Sequence, residues 1–416
     1  MERGTRPTGR LTGFDGARGI AALTVLWSHV LLYGVADDPQ GRPMRLISAL
    51  ELGVVLFFTL SGFLLYRVFA SAILGFRAGV DVRDYAIGRA LRILPAYWVA
   101  LAIVGLVVPA ALVHVGGGHL ALGDLRGAPG VLGANVVLIQ NYIPATTITG
   151  IGPAWTLAVE VAFYLALPLL ALPALALARR RRFSLRYRLA LALAPPATLL
   201  VMSAGIDQAA RVFPSIAGPD WSDTWQTVLM VSFVASGGLF AAGMTAAVVL
   251  LLTEHGVISV PGASRRAALG LAVGGIVLVV AAHDRGLVPE EFFWLAASVP
   301  CAFLLFHLAA TEDARSSPAA RLLETRLLVY AGLVSYSVYL WHEPLIRWLA
   351  AHDLTFHGRW AHAGNAALVT SLTLAIATVS YLLVERPAMS LRTRRRTAGA
   401  ASDRAPATSE PLAEHG

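Results

Sequence analysis

The chain has 416 residues, 56% of them hydrophobic and only 14% charged, with a mean hydropathy of +0.66. A soluble domain carries roughly 25% charged residues, so a water-soluble fold is excluded. The formal charge of +8 rests on arginine alone, since lysine is absent, and the arginines sit at the ends of apolar runs, where they mark membrane topology rather than a nucleic-acid surface. The excess of Ala, Leu, Gly and Arg points to a GC-rich bacterial genome. The single cysteine, Cys301, excludes an internal disulfide and, beside Pro300 in an apolar run, reads as a small buried residue.

Runs long enough to cross a ~30 Å hydrocarbon core recur along the chain, at 17–36, 49–69, 94–113, 154–178, 189–205, 227–252, 267–283, 291–310, 327–350 and 363–384. These ten predicted spans make an all-α integral membrane protein with both termini cytoplasmic. Ten is also the number that puts every arginine-rich segment on one side. These are the N-terminus, the 67–92 loop, 179–188, Arg265–Arg266, the 311–326 loop and the tail with Arg392 and Arg394. The first span follows an arginine-rich start, as a signal peptide would, but Trp27, Ser28 and His29 suit a retained helix better. Residues 131–141 are apolar but short, and counting them would break the parity, so they read as re-entrant or interfacial. The reading is one polytopic domain over 1–391 and a basic, disordered cytoplasmic tail over 392–416. No soluble domain and no internal repeat stands out.

Ionisable groups inside a membrane helix cost a few kcal/mol each on insertion scales and are functional candidates for that reason. His29 lies eleven residues after Arg18 in DGARGIAALTVLWSHV, about 16 Å along a helix and near mid-bilayer. Glu160, six residues into the fourth span, falls at a similar depth if the two helices are neighbours. A carboxylate beside an imidazole fixes its tautomer and raises its basicity. A buried structural pair and a transporter's proton relay are the competing readings. Arg83, Arg89 and Arg92 precede the third span, and the last two share a helix face on the cytoplasmic rim. Paired guanidiniums suit phosphate, although spacing alone fits topological anchoring equally well. Ser61 and Gly62 in FFTLSGFLLYR allow close helix packing or a ligand's approach. His342 and Glu343 stand near the outer end of the ninth span, either binding an acceptor or anchoring at the interface, and His307 reads as structural. There is no P-loop, no GxSxG elbow and no metal-ligand spacing, and His114 and His119 lie in a glycine-rich loop without partners.

The Arg18-to-His29 spacing, FFTLSGFLL, Arg89-x-x-Arg92, WTLAVEVAFY with Glu160, SYSVYLWHEP and the closing VERP at 384–387 together resemble the membrane acyltransferase-3 family, over about residues 11–391. The resemblance implies acyl transfer in a bacterial plasma membrane, from acyl-coenzyme A, commonly acetyl, to a hydroxyl of a carbohydrate or glycosylated metabolite, without a metal. His29 matches the family's essential histidine, Asp15 and Arg18 the aspartate and arginine before it, Arg89 and Arg92 its paired arginines, and Glu160 the glutamate of its tryptophan-led motif. Thr156 stands where the family more often has serine. The working mechanism built on these residues takes His29 as the base, oriented by Glu160 or Asp15, with Arg18, Arg89 and Arg92 on the phosphates and Ser61, Trp155, Tyr164 and His342 as substrate-binding candidates. A proton-coupled transporter with a Glu160–His29 relay, and an assembly partner without chemistry of its own, remain as alternatives at this point.

Overall fold

The computed structural model describes residues 11–34, 44–115, 119–180, 183–212, 223–310, 317–358 and 360–392. Arg3, Arg6, Arg10, residues 181–182 and 311–316 and the tail from 393 onward lie outside the described residues. The fold is helical, with a single two-stranded hairpin among the described residues. In chain order the helices are α1 (Phe14–Tyr33), α2 (Met44–Leu74), α3 (Val82–Ala102, continued by a π-helical turn Ile103–Val107), α4 (Pro129–Val136), α5 (Ala154–Arg180), α6 (Leu185–Val212) and α7 (Trp225–Met230). After them come α8 (Phe233–Glu254), α9 (Gly262–Asp284), α10 (Glu290–Ala310), α11 (Pro318–Leu323), α12 (Arg326–Leu333), α13 (Ser335–Ala351) and α14 (Ala361–Ser380, followed by a π turn Tyr381–Glu385).

Eight helices among the described residues are long and apolar enough to cross a membrane. The other two expected spans, 17–36 and 327–350, carry several ionisable groups each. Helix α1 holds Asp15, Arg18 and His29, while 327–350 is divided into α12 and the 17-residue α13, which holds His342, Glu343 and Arg347. Both are helical and pack against each other, α1 lying between α2, α12, α13 and α14. By contrast, α9 sits at the periphery with Leu271, Val273, Val277 and Leu278 exposed, as a lipid-facing helix would be.

The arginine-rich ends meet. Arg67 at the end of α2 pairs with Glu254 at the end of α8 at 2.7 Å, and Arg392 at the end of the last helix pairs with Asp84 at the start of α3 at 2.6 Å. Arg179 at the end of α5 donates to the carbonyl of Ala78, Arg188 in the first turn of α6 to that of Ile73, and Arg265 of α9 to that of Ala310. The described segments that the sequence assigns to one side are thus at one end of the bundle.

At the opposite end, residues 111–115 and 119–153 form a layer rather than a span. The third helix runs over 82–107 instead of 94–113, because Asp81 caps it by accepting the Asp84 amide at 2.9 Å. Hydropathy marks where a helix becomes apolar, not where it begins, so Arg89 and Arg92 lie inside α3 rather than ahead of it. Strands β1 (Ala111–His114) and β2 (Leu120–Gly123) pair antiparallel, and α4, at eight residues, is too short to span. Asn141 ties this layer to the start of α5 and to the junction of α7 and α8 by donating to the carbonyls of Trp155 and Val231.

Helices α2 and α8 cross on glycines. A Cβ on Gly243 would fall on the carbonyl of Thr59, and one on Gly62 on that of Phe240. Ser61, the residue before Gly62, bonds to Glu160 of α5.

Candidate active site

A cleft of about 110 Å³ lies between α1, α2, α3, α5 and α13. Its polar wall includes Arg18, Ser61, Arg89, Arg92, Thr156, Glu160, Tyr164, Tyr336 and Tyr339. On α5, Thr156, Glu160 and Tyr164 recur every four residues and so share one face, whereas Trp155 is a residue off that face. Trp155 packs near Trp294, rings 6.3 Å apart, and is not part of the cleft wall.

Glu160 is held from both sides. Its Oε1 accepts the hydroxyls of Ser61 and Tyr164, each at 2.6 Å. Both residues line the cleft, and both spend their hydroxyl protons on Glu160. The Arg89 guanidinium lies 5.9 Å from the centre of the Tyr164 ring, Arg92 Nη1 reaches the sulfur of Met389 at 3.3 Å, and Arg18 stands 3.8 Å from Asp15. Three guanidiniums from two helices therefore converge on one cleft, with the carboxylates of Glu160 and Asp15 only partly offsetting them.

His29 is elsewhere. It does not line the cleft; its Nδ1 lies 2.8 Å from the Val25 carbonyl and 3.3 Å from Nε2 of His342, with the two rings at 5.0 Å. Tyr33 and the ion pair of Glu343 with Arg347 complete its surroundings, the Arg347 guanidinium lying 3.8 Å over the Tyr33 ring. The expected juxtaposition of Glu160 with His29 is not what the fold provides: Glu160 bonds to Ser61 and Tyr164 in the cleft, which His29 does not line, and α5 packs chiefly on α2, α6 and α8. Nor is Asp15 near His29: fourteen residues of helix separate them, about 21 Å. The cleft and the histidines are joined through α13, where Tyr339 lines the cleft and its ring lies 5.8 Å from that of His342. The Tyr339 hydroxyl bonds to Thr156 and to the Pro153 carbonyl, which fixes α13 against α5 and gives the threonine of the tryptophan-led motif a partner.

Sequence reasoning passed over Tyr336, Tyr339, Arg347 and Glu385. The first two were legible: Tyr336, Tyr339 and His342 stand at i, i+3 and i+6 on one helix face. Glu385, in the VERP segment, is buried in the π turn and accepts the hydroxyl of Ser337. His307 bridges the Arg265 carbonyl and the Ser317 hydroxyl, each at 2.8 Å, as a structural residue does.

Comparison with known proteins agrees with the motifs. A family model described as an acyltransferase domain matches residues 11–385. The acyltransferase MdmB of Streptomyces mycarofaciens is 29% identical over 429 residues, covering 96% of this chain and 97% of that protein. Nodulation protein 10 of Rhizobium leguminosarum bv. viciae is 27% identical over 416 residues, covering 93% and 95%. No solved structure matches. The enzyme reading thereby prevails over transport and over assembly without chemistry: the chain belongs to the acyltransferase-3 family and is a multi-pass membrane acyltransferase.

Proposed function

We propose that the enzyme transfers an acyl group, acetyl by default, from acyl-coenzyme A to a hydroxyl of a carbohydrate or glycosylated small molecule, in a bacterial plasma membrane with its arginine-rich end in the cytoplasm. The observation that carries this reading is the convergence of Arg18, Arg89 and Arg92 on one cleft. Planar guanidinium forks match phosphate oxygens, and a donor rich in phosphate that is made in the cytoplasm meets them at the arginine-rich end.

In this reading the arginines hold the phosphates, and the thioester arm runs along the α13 side of the cleft toward Tyr339. His29 removes the acceptor hydroxyl's proton as that oxygen attacks the thioester carbonyl. The tetrahedral intermediate then collapses, the C–S bond breaks, and coenzyme A leaves as thiolate. A positioned base contributes about 10²–10⁴ in rate. Glu160, bound to Ser61 and Tyr164, serves the cleft and not the imidazole; it sets the local charge against which Arg18 rests.

The test is thiol release from acetyl-coenzyme A by purified protein in proteoliposomes, with a glycosylated acceptor mixture. Wild type should release thiol, and His29→Ala should abolish release while donor binding persists. Absence of thiol release from wild type across acyl donors would overturn the donor assignment, and an active His29→Ala would remove the base.

A further inference from the structure

We infer that His342 is a positioning residue that, together with the Val25 carbonyl, holds His29 in the tautomer needed for base catalysis and supports its developing charge, taking the place that a carboxylate was expected to fill. This rests on the reading of His29 as the base.

The bookkeeping of protons decides the tautomers. A carbonyl oxygen only accepts, so each imidazole nitrogen facing one must carry hydrogen. Nδ1 of His342 faces the Val338 carbonyl at 3.1 Å and therefore donates, which leaves Nε2 of His342 with a lone pair. That lone pair lies 3.3 Å from Nδ1 of His29. The same Nδ1 faces the Val25 carbonyl at 2.8 Å, so it too carries the hydrogen, shared between a carbonyl and the lone pair of His342. Nε2 of His29 is left bare. The reverse assignment would set a nitrogen lone pair against a carbonyl oxygen at both histidines.

The burial of the two rings points the same way. His342 is 1% exposed, behind a partly exposed His29, so it is placed to support the base rather than to meet an acceptor. The three described carboxylates considered for the role have other partners or another place. Glu160 is committed to Ser61 and Tyr164, Asp15 is at the other end of α1, and Glu343 is tied to Arg347. A neutral partner also suits the location, since a second buried charge in a membrane interior is costly. When Nε2 of His29 takes the acceptor's proton, the Nδ1–H donated to His342 becomes charge-assisted and shortens, which stabilises the imidazolium as it forms.

Side-chain length provides the test. In His342→Gln the amide oxygen reaches the place of Nε2 and can accept from His29, in His342→Asn it stops short at the place of Nδ1, and in His342→Leu there is no acceptor. Thiol release should stay within about tenfold of wild type for Gln and fall on the order of 10²-fold in kcat for Asn and Leu, with KM for acetyl-coenzyme A little changed. Equal loss in Gln and Asn, or a wild-type rate in Leu, would overturn the inference. A second measurement is independent of activity: 15N spectra of histidine-labelled protein in lipid bilayers. They should show His29 protonated at Nδ1, His342 bare at Nε2, and a correlation across the hydrogen bond. A proton on Nε2 of either residue at neutral ring charge would also overturn it. Should wild type release no thiol at all, the acyl-transfer reading fails while the spectra still decide the pairing.

Discussion

Tyr339 and His342 stand one turn apart on α13, their rings 5.8 Å apart, the first lining the arginine cleft and the second touching His29. The phenol is thus part of the wall between the arginine cleft and the histidine pair. Truncation in Tyr339→Ala opens that wall, and water that a closed site excludes then competes with the acceptor. Thiol release without acceptor should rise relative to release with it. Tyr339→Phe keeps the ring and loses only the bonds to Thr156 and Pro153, so its coupling should remain near wild type while its unfolding midpoint falls, by about 1 kcal/mol of stability. Release of thiol in parallel reactions with and without acceptor reads both effects.

Arg89 and Arg92 separate charge from geometry. Arg89→Lys and Arg92→Lys keep the positive charge but lose the planar fork, and each should raise KM for acyl-coenzyme A with a smaller change in kcat. Loss of a charge-assisted bond worth about 1.5–3 kcal/mol corresponds to roughly 10- to 150-fold. Arg83, about two and a half turns before Arg92 and not part of the cleft wall, should be near neutral when replaced by Ala. Steady-state titration of the donor at constant ionic strength distinguishes the three positions.

Eight of the ten spans and the gathering of the arginines at one end of the bundle were legible from hydropathy and charge, because these depend on local composition. The pairing of side chains was not. Depth along a helix can be counted at 1.5 Å per residue, and it placed Glu160 and His29 near one level, but it says nothing about which helices are neighbours. That is decided by packing, here by glycines that bring α8 onto α2 and by α13 lying beside α1. The start of α3 was missed for a related reason: Asp81 and the polar first turns belong to the helix without being apolar.

The glycines of that crossing should behave differently from those of α9. In Gly243→Ala and Gly62→Ala the new methyl group meets the carbonyls of Thr59 and Phe240, backbone that cannot yield without separating the helices. Gly270 and Gly274 have nothing within 4 Å of the same position, and Ala there removes a helix-weakening residue. The yield of monodisperse protein and the unfolding midpoint in detergent should fall sharply for the first pair and hold or rise slightly for the second.

The ion pair beside the histidines invites a double-mutant cycle. The side chain of Glu343 is 3% exposed, and that of Arg347 is 24%. The Glu343 carboxylate also lies against Gly152, where a Cβ would come within 2.8 Å of either oxygen. Arg347→Ala leaves that carboxylate buried and unpaired, which costs about 3–5 kcal/mol, and it also removes the cation over Tyr33. Glu343→Gln removes the charge at little change in shape and should cost less. If the penalty is the orphaned charge, the double variant Glu343→Gln/Arg347→Ala should be more stable than Arg347→Ala alone, recovering part of the loss in unfolding midpoint. A double variant no better than Arg347→Ala would instead assign the loss to the packing of the arginine on Tyr33.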